Sequence, residues 1–227
     1  MKSEMQPYLA SSPTIDYDHP LVAGFARTHA AGFREPREQA VNLYLAVRDT
    51  IRYDPYLLDL SVEGLRASTT LKIGRGWCVA KAILLAACCR YHGIPARLGY
   101  ADVRNHLSTA RMREQMKTDV FYWHGYTSIF LDGKWLKATP AFNIELCKKF
   151  HLRALEFDGV NDSIYHSFDL DGNRHMDYLC YRGEFAEAPI DLIIETFRRE
   201  YQADDMIVEA LKGSDFDRDV DHETREE

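Results

Sequence analysis

The sequence lacks most of the features that mark secreted, membrane or metal-binding proteins. Its 227 residues include only five cysteines, an odd number, with no Cys-x-x-Cys pair and no zinc-like spacing, which argues against a disulfide framework or a zinc finger. The longest strongly apolar run, AILLAACC, is far shorter than the roughly 18 residues that a membrane span requires. We therefore predict reduced thiols and no membrane-spanning segment.

A leader-like start and a basic surface are missing as well. The opening residues, MKSEMQPYLASSPTIDYDHP, have no basic flank followed by a long apolar core, so they do not resemble a signal peptide. The formal net charge is −7 and no basic face is evident, which disfavours nucleic-acid binding. These absences predict a cytoplasmic protein that binds neither nucleic acid nor membrane, and they leave the oligomeric state open.

Composition divides the chain into three parts. A hydrophobic content of 46% over this length is enough to bury the core of one large domain. The closing stretch SDFDRDVDHETREE has seven acidic and two basic residues and too little apolar surface to order itself. We assign residues 1–35 to an N-terminal extension, residues 36–212 to a single domain and residues 213–227 to an acidic disordered tail.

Hydrophobic periodicity places helices first, hairpins next and a helix last. One helix is predicted to begin at Pro36 and a second at Cys78. Alternating apolar residues around the Asp-Gly pair at 132–133 predict a β-hairpin, and a final amphipathic helix opens at Pro189. This order favours an α+β fold with an antiparallel sheet over alternating βαβ units.

Residues 74–98, GRGWCVAKAILLAACCRYHGIPARL, contain the cysteine of greatest interest. Cys78 lies at the N-terminus of the predicted helix, where unpaired amides and the helix dipole lower the pKa of a thiol and can hold an oxyanion. Cysteine is also among the most buried residue types, so a core role is the competing interpretation. Cys88 and Cys89 lie about three turns further along, beyond the dipole end, and are assigned to the core.

A nucleophilic thiol needs a base within hydrogen-bond reach. Among the nine histidines, His124 is the best placed, because it falls within the aromatic, strand-like run VFYWHGYTSIF. A strand can hold an imidazole rigidly opposite a helix end. Taken alone, a histidine between aromatic residues is more often structural, so His124 becomes a candidate only in combination with Cys78.

The order of these motifs resembles the transglutaminase-like superfamily. The matching blocks are GRGWC, a helix, GIPARLGY, WHGYTSIF and DGKWLKATP, within residues 37–143. The resemblance implies a papain-like core, in which the cysteine-bearing helix packs on an antiparallel sheet between flanking N- and C-terminal helices. It also implies that Cys78 is the nucleophile and that His124 is the general base and later the general acid.

The third catalytic position departs from the family pattern. The family has Trp-x-x-x-Asp-Pro, whereas here Trp135 is followed four residues later by Thr139. Threonine can accept a hydrogen bond from the imidazole, but it brings no negative charge to stabilise an imidazolium. Three alternatives stay open: Thr139 orients His124, Asn143 substitutes for it, or the site is degenerate. We favour Thr139 in place, with Asn143 as the substitute.

Neighbouring residues are candidates for further roles. Gly76 and Trp77 are predicted to line the site near the oxyanion, because glycine leaves room for a substrate to approach. Three residues after the cysteine helix are candidates for substrate contact: Tyr100, Asp102 and Arg104. The segment 102–119 joins two predicted strands, and it either overhangs the site or forms a solvated loop.

These inferences predict a thiol-dependent enzyme that attacks an amide carbonyl and forms an acyl-thioester on Cys78. Hydrolysis is favoured over transamidation because water is always present, so the expected substrate is a peptide or protein amide, with no metal or organic cofactor. The missing aspartate leaves one alternative, a catalytically impaired binding module with the same fold. A redox-sensing cysteine protein is a third hypothesis.

Overall fold

A computed structural model of the chain describes residues 2–105, 108–165, 168–201 and 214–224. Helices make up most of its regular structure. In chain order they are α1 (Lys2–Met5), α2 (Pro20–His29), α3 (Pro36–Thr50), α4 (Ala67–Ile73), α5 (Cys78–Tyr91), α6 (Ala110–Met116), α7 (Ile144–Lys149), α8 (Ile190–Glu200) and α9 (Phe216–Glu223). Three of them, α2, α3 and α5, form the helical side of the core.

The strands form one antiparallel sheet and one short parallel pair. They are β1 (Arg52–Tyr53), β2 (Arg75–Gly76), β3 (Ala96–Asn105), β4 (Val120–Leu131), β5 (Lys134–Ala138) and β6 (Met176–Phe185). The sheet order is β5-β4-β3-β6, and β1 pairs with β2. The predicted hairpin is confirmed, because β4 and β5 meet at Asp132 and Gly133, whose φ values of 48° and 82° are those of a tight turn.

Helix α5 lies at the centre of the molecule, as predicted. Every residue from Cys78 to Arg90 is buried, with α2, α3 and α4 on one side and strands β3 and β4 on the other. Thr127 Oγ1 on β4 donates to Ala82 O at 2.8 Å. A Cβ at Gly125 would lie 2.9 Å from Val79 Cα, so only glycine lets strand and helix backbones approach this closely. The predicted α+β class is confirmed.

Two buried cations hold α5 to its neighbours. Lys81 Nζ donates to Arg48 O at 2.9 Å and also to Ile51 O at the end of α3. Arg90 donates to Ala96 O at 3.1 and 2.9 Å, and to two further backbone carbonyls. Burial lowers the pKa of Lys81 well below its usual range. These hydrogen bonds satisfy carbonyl groups that the ends of the neighbouring elements leave unpaired.

The prediction of an acidic disordered tail is wrong for the part that the structure describes. Residues Phe216–Glu223 form helix α9, with Phe216 and Val220 buried. These two apolar residues are one helical turn apart, so they share a face. Phe216 packs against Tyr53 and Tyr56, at centroid distances of 5.8 and 5.3 Å. Contacts with distant residues therefore order a segment whose own composition predicts disorder.

The segment predicted as an N-terminal extension also contributes to the core. Helix α2 buries Val22, Ala23 and Ala26 and packs on α3, α4 and α5. Within the described residues, no helix has the length and apolar character needed to cross a bilayer.

We predict that Lys81→Met lowers the stability of the folded chain while the packing of the surrounding core stays the same. Methionine fills a similar volume but cannot donate to the carbonyls of Arg48 and Ile51. Leaving them buried and unpaired is expected to lower the free energy of unfolding by about 2–3 kcal/mol in urea denaturation. The exposed Lys134→Met is the matched control. Equal stability of both variants would contradict the role given to Lys81.

Candidate active site

Cys78 occupies the first turn of α5. Trp77, the N-cap residue, has extended φ and ψ angles of −81° and 178°, and the preceding strand β2 is paired to β1, which fixes the entry of the chain into the helix. The Cys78 side chain is only 6% exposed. Backbone N–H groups of Gly125, Val79 and Cys78 itself are directed at the thiol.

Burial dominates the electrostatics of this thiol. It raises the pKa of Cys78 to about 11, although the surrounding backbone N–H groups act to lower it. The expectation of a depressed pKa from the helix end is therefore wrong for this closed structure. The N–H groups at the helix end stabilise the thiolate, but removal from water destabilises it by a larger amount.

His124 lies on β4, paired with Ala101 of β3. The residue before it, Trp123, has a left-handed φ of 60°, a strained conformation for a bulky side chain. Asp102 Oδ1 accepts a hydrogen bond from Trp123 N at 3.2 Å and so supports this bend. His124 is 4% exposed. Burial, with a smaller contribution from the charge of His175, lowers the pKa of His124 to about 4.

Cys78 and His124 line the same cavity, which has a volume of about 70 Å³. The rest of its wall is mainly aromatic and methionine side chains, among them Tyr53, Trp77, Met112, Met116, Phe197 and Tyr201. The segment 102–119 therefore overhangs the site through helix α6. This volume is enough for a few water molecules and too small for a peptide, so the site is narrow in this structure.

A family model described as the transglutaminase-like superfamily matches residues 23–140, more than half of the chain. The chain belongs to the transglutaminase-like superfamily. The resemblance inferred from the motif order is thus confirmed, and both Cys78 and His124 fall inside the matched region.

Two solved structures are similar to this member of the transglutaminase-like superfamily. A candidate cysteine protease from Cytophaga hutchinsonii is 18% identical, with a TM-score of 0.48, and the match covers 62% of this chain and 43% of that one. A candidate protease from Parabacteroides distasonis is 15% identical, with a TM-score of 0.37, over 56% and 26% of the two chains. The chain thus spans less than half of either solved chain. No curated protein matches it.

Thr139, at the family's aspartate position, is buried in the core. Its backbone carbonyl accepts from Tyr44 Oη at 3.1 Å. Its own hydroxyl makes no hydrogen bond of standard geometry within the described part of the chain, although it is near enough to lower the pKa of Tyr178. His124 Nε2 is likewise buried without a partner in that part of the chain.

Asn143, the substitute candidate, uses its side-chain oxygen elsewhere. Asn143 Oδ1 accepts from Tyr53 N at 3.1 Å and ties the start of α7 to β1. Between the described residues, the structure gives no hydrogen bond from either Thr139 or Asn143 to His124. The choice of third residue stays a prediction.

His175 is a site neighbour that the sequence interpretation missed. It is buried just before β6, and its ring lies 5.5 Å from that of Tyr165, which in turn lies 6.0 Å from His124. Its charge acts to lower the pKa of His124. No family block reaches this part of the chain, so the only available signal was a histidine beside a strand-like run.

The two predicted lining residues have different positions. Trp77 lines the cavity and contacts Phe197 of α8, with ring centroids 6.2 Å apart. Gly76 lies in the β1–β2 pair, where an added Cβ would be 3.1 Å from Ala80 Cβ. The glycine therefore allows β2 to approach α5, and the structure does not place it on the cavity wall.

The three predicted substrate-contact residues do not line the cavity. Tyr100 is buried in the core, Asp102 pairs with Arg182, and Arg104 pairs at the surface with Asp119 at 3.0 Å. Their neighbours Val103 and Asn105 line it instead. Within the described ranges, no three His, Cys, Asp or Glu side chains lie together as potential metal ligands, so we assign no metal site.

Because its pKa in the folded protein is lowered to about 4, His124 is expected to make stability depend on pH. The unfolded chain, with a histidine pKa of about 6.5, binds a proton that the folded chain does not, so stability falls as pH drops from about 6.5 towards 4. Between about pH 7 and about pH 4.5, the free energy of unfolding measured in urea should therefore fall by about 2–3 kcal/mol less in His124→Gln than in the parent protein. An unchanged profile in His124→Gln would contradict the prediction.

Proposed function

We propose that this chain is a thiol-dependent acyl-transfer enzyme that hydrolyses amide bonds through Cys78 and His124. The observation that carries the proposal is that a cysteine at the start of the central helix and a histidine on the adjoining strand line one narrow cavity. Membership of the transglutaminase-like superfamily supports it. The substrate class is a peptide or protein amide.

In the acylation step, Cys78 Sγ bonds to the carbonyl carbon while its proton passes to the His124 imidazole. In the resting structure both groups are neutral near pH 7, because burial raises the pKa of Cys78 to about 11 and lowers that of His124 to about 4. The N–H groups of Cys78 and Val79, at the start of α5, are directed at the thiol in this structure, and in this proposal they donate to the developing oxyanion. The C–N bond then breaks as His124 returns the proton to the leaving amine.

Deacylation uses the same groups. A water molecule gives one proton to His124 as its oxygen bonds to the thioester carbonyl carbon. Loss of the C–S bond releases the carboxylic acid, and the proton returns to Cys78 Sγ. Hydrolysis is proposed over transfer to an amine because water is always available, whereas no amine-acceptor site can be read from the sequence.

Within this proposal Thr139 orients His124. Two observations support it over Asn143: the Nε2 atom of His124 is buried without a hydrogen-bond partner in the described residues, and Asn143 Oδ1 is already held by Tyr53 N. A thiol site tolerates a neutral third residue better than a serine site, because cysteine is more acidic and more nucleophilic.

A binding module without catalysis is the second candidate function. It is favoured by the Nε2 atom of His124, which has no hydrogen-bond partner among the described residues, and by a thiol whose pKa is raised to about 11. In that case the fold would recognise a peptide without forming a covalent intermediate. The two candidates differ in one observable, an acyl adduct on Cys78.

The adduct provides the direct test. Incubation with activated peptide esters, followed by intact-mass and peptide mass spectrometry, is expected to show acylation at Cys78. Cys78→Ala should abolish it, and His124→Ala should slow it by roughly 10²-fold, the usual contribution of a general base. Cys180→Ser removes the exposed cysteine and should leave the adduct in place. An adduct only on Cys180, or none, would favour the binding module.

Thr139→Asp tests the third position. If residue 139 faces the imidazole, a carboxylate there should raise the pKa of His124 from its value of about 4, because an adjacent negative charge favours the imidazolium. The titration is followed by NMR of the histidine ring protons. Thr139→Val, with similar shape and no charge, is the control. No shift in Thr139→Asp would remove Thr139 from the proposed site.

A further inference from the structure

Helix α9 lies on the two segments that close the cavity. Phe216 packs edge-on against Tyr53 and Tyr56, and Tyr53 is itself part of the cavity wall. Tyr56 Oη donates to Asp219 Oδ2 at 2.8 Å and lies 2.7 Å from Thr109 Oγ1, directly before α6. The loop after β1 and helix α6, which supplies two methionines to the wall, are therefore both in contact with α9.

Every carboxylate of α9 pairs with a cation of the folded body. The ion pairs are Arg52–Asp217 at 2.6 Å, Arg75–Asp217 at 3.9 Å, Arg111–Asp219 at 2.7 Å, Arg113–Glu223 at 3.9 Å, and Lys149–Asp221. We call these five cations the basic rim. They come from β1, β2, α6 and the end of α7, so the folded surface, and not one basic stretch of sequence, creates the rim.

The ion pairs between α9 and the basic rim are weak enough for a competing ligand to displace the helix. The rim side chains Arg52, Arg111 and Arg113 remain 47%, 44% and 51% exposed in their ion pairs. Exposed pairs contribute little individually, and salt weakens them. The buried apolar anchors of α9 are Phe216 and Val220. The surface therefore binds a segment that combines acidic side chains with a buried aromatic side chain.

We propose that the basic rim, with Tyr53 and Tyr56, is a binding surface for an acidic peptide segment that carries an aromatic anchor. In this structure α9 occupies that surface. A segment of the same chemistry on a substrate protein would displace α9, release the loop after β1 and helix α6, and widen the cavity over Cys78. The identification of this segment as substrate rests on the proposed function, whereas its competition with α9 does not.

The first test releases α9 in the full-length chain. A release variant carries Phe216→Ala, Asp217→Asn and Asp219→Asn, in a Cys180→Ser background that removes the exposed cysteine. Iodoacetamide labelling of Cys78, followed by peptide mass spectrometry, is expected to be about tenfold faster than in the parent, because local opening limits access to a buried thiol. Glu114→Gln, an exposed site on α6, is the matched control. Labelling at the parent rate would overturn the proposal.

The second test varies the salt concentration. Raising sodium chloride from about 0.05 to about 0.5 M shortens the Debye length roughly threefold, so it should speed labelling of Cys78 in the parent. The release variant should respond much less, because two of its ion-pairing carboxylates are already gone. An equal response in both proteins would show that the ion pairs do not close the site.

The third test supplies the α9 segment as a separate peptide. A fluorescent peptide of residues 214–227 is expected to bind the release variant, to slow labelling of Cys78, and to bind less tightly when Arg111→Gln is added. The same peptide with asparagine and glutamine in place of its acids should bind at least about tenfold more weakly. Equal binding of the two peptides would overturn recognition by charge.

The two proposals can fail separately. If the release variant labels faster and binds the acidic peptide but forms no acyl adduct with activated esters, the surface stands and the hydrolase proposal falls. If the parent and the release variant acylate at the same rate, Cys78 is accessible without displacement of α9. That result would overturn the surface as a control on the site and leave the hydrolase proposal intact.

Discussion

Thirteen consecutive residues of α5, from Cys78 to Arg90, are buried, so this helix has no face for solvent. An ordinary surface helix buries one stripe and needs one neighbour, but α5 must be covered on all sides. Helices α2, α3 and α4 provide one side, and strands β3 and β4 provide the other. The small side chains of the helix let all these neighbours approach, and the polar ends of Lys81 and Arg90 are tolerated because they donate to backbone carbonyls.

The same burial sets the chemical state of the site. A helix N-terminus favours a thiolate and water favours both a thiolate and an imidazolium, but the cavity around Cys78 and His124 contains little room for water. Desolvation therefore prevails, and both groups are held neutral at rest. The reactivity of the pair is consequently a property of the opened molecule, and whatever controls access also controls protonation.

The local sequence pattern was sufficient to predict the secondary-structure elements that carry the family motifs. The helix at Cys78, the hairpin at 132–133 and the strand of His124 follow from periodicity, turn chemistry and motif order, because each depends on neighbours in sequence. The substrate-contact residues could not be derived in this way. Register shifts in β3 fall between Tyr100 and Ala101 and between Asp102 and Val103, and each irregularity changes which side chains face the cavity.

Long-range contacts account for the other differences. The order of α9 depends on arginines and tyrosines more than a hundred residues earlier, which a composition argument confined to the C-terminal residues cannot include. His175 approaches His124 only because β6 returns to pair with β3. Both features come from tertiary structure, and no window of local sequence contains them.

Gly125 has a consequence for how this scaffold tolerates change. Because the backbone of β4 lies against the backbone of α5 at Val79, two main chains in direct contact set the spacing between the thiol and the imidazole. A side chain at position 125 would push the strand away from the helix, and with it the imidazole away from the thiol. Sequence drift in homologues, or repacking by an engineer, is thus expected to be tolerated less at this contact than at core positions filled by side chains of exchangeable volume.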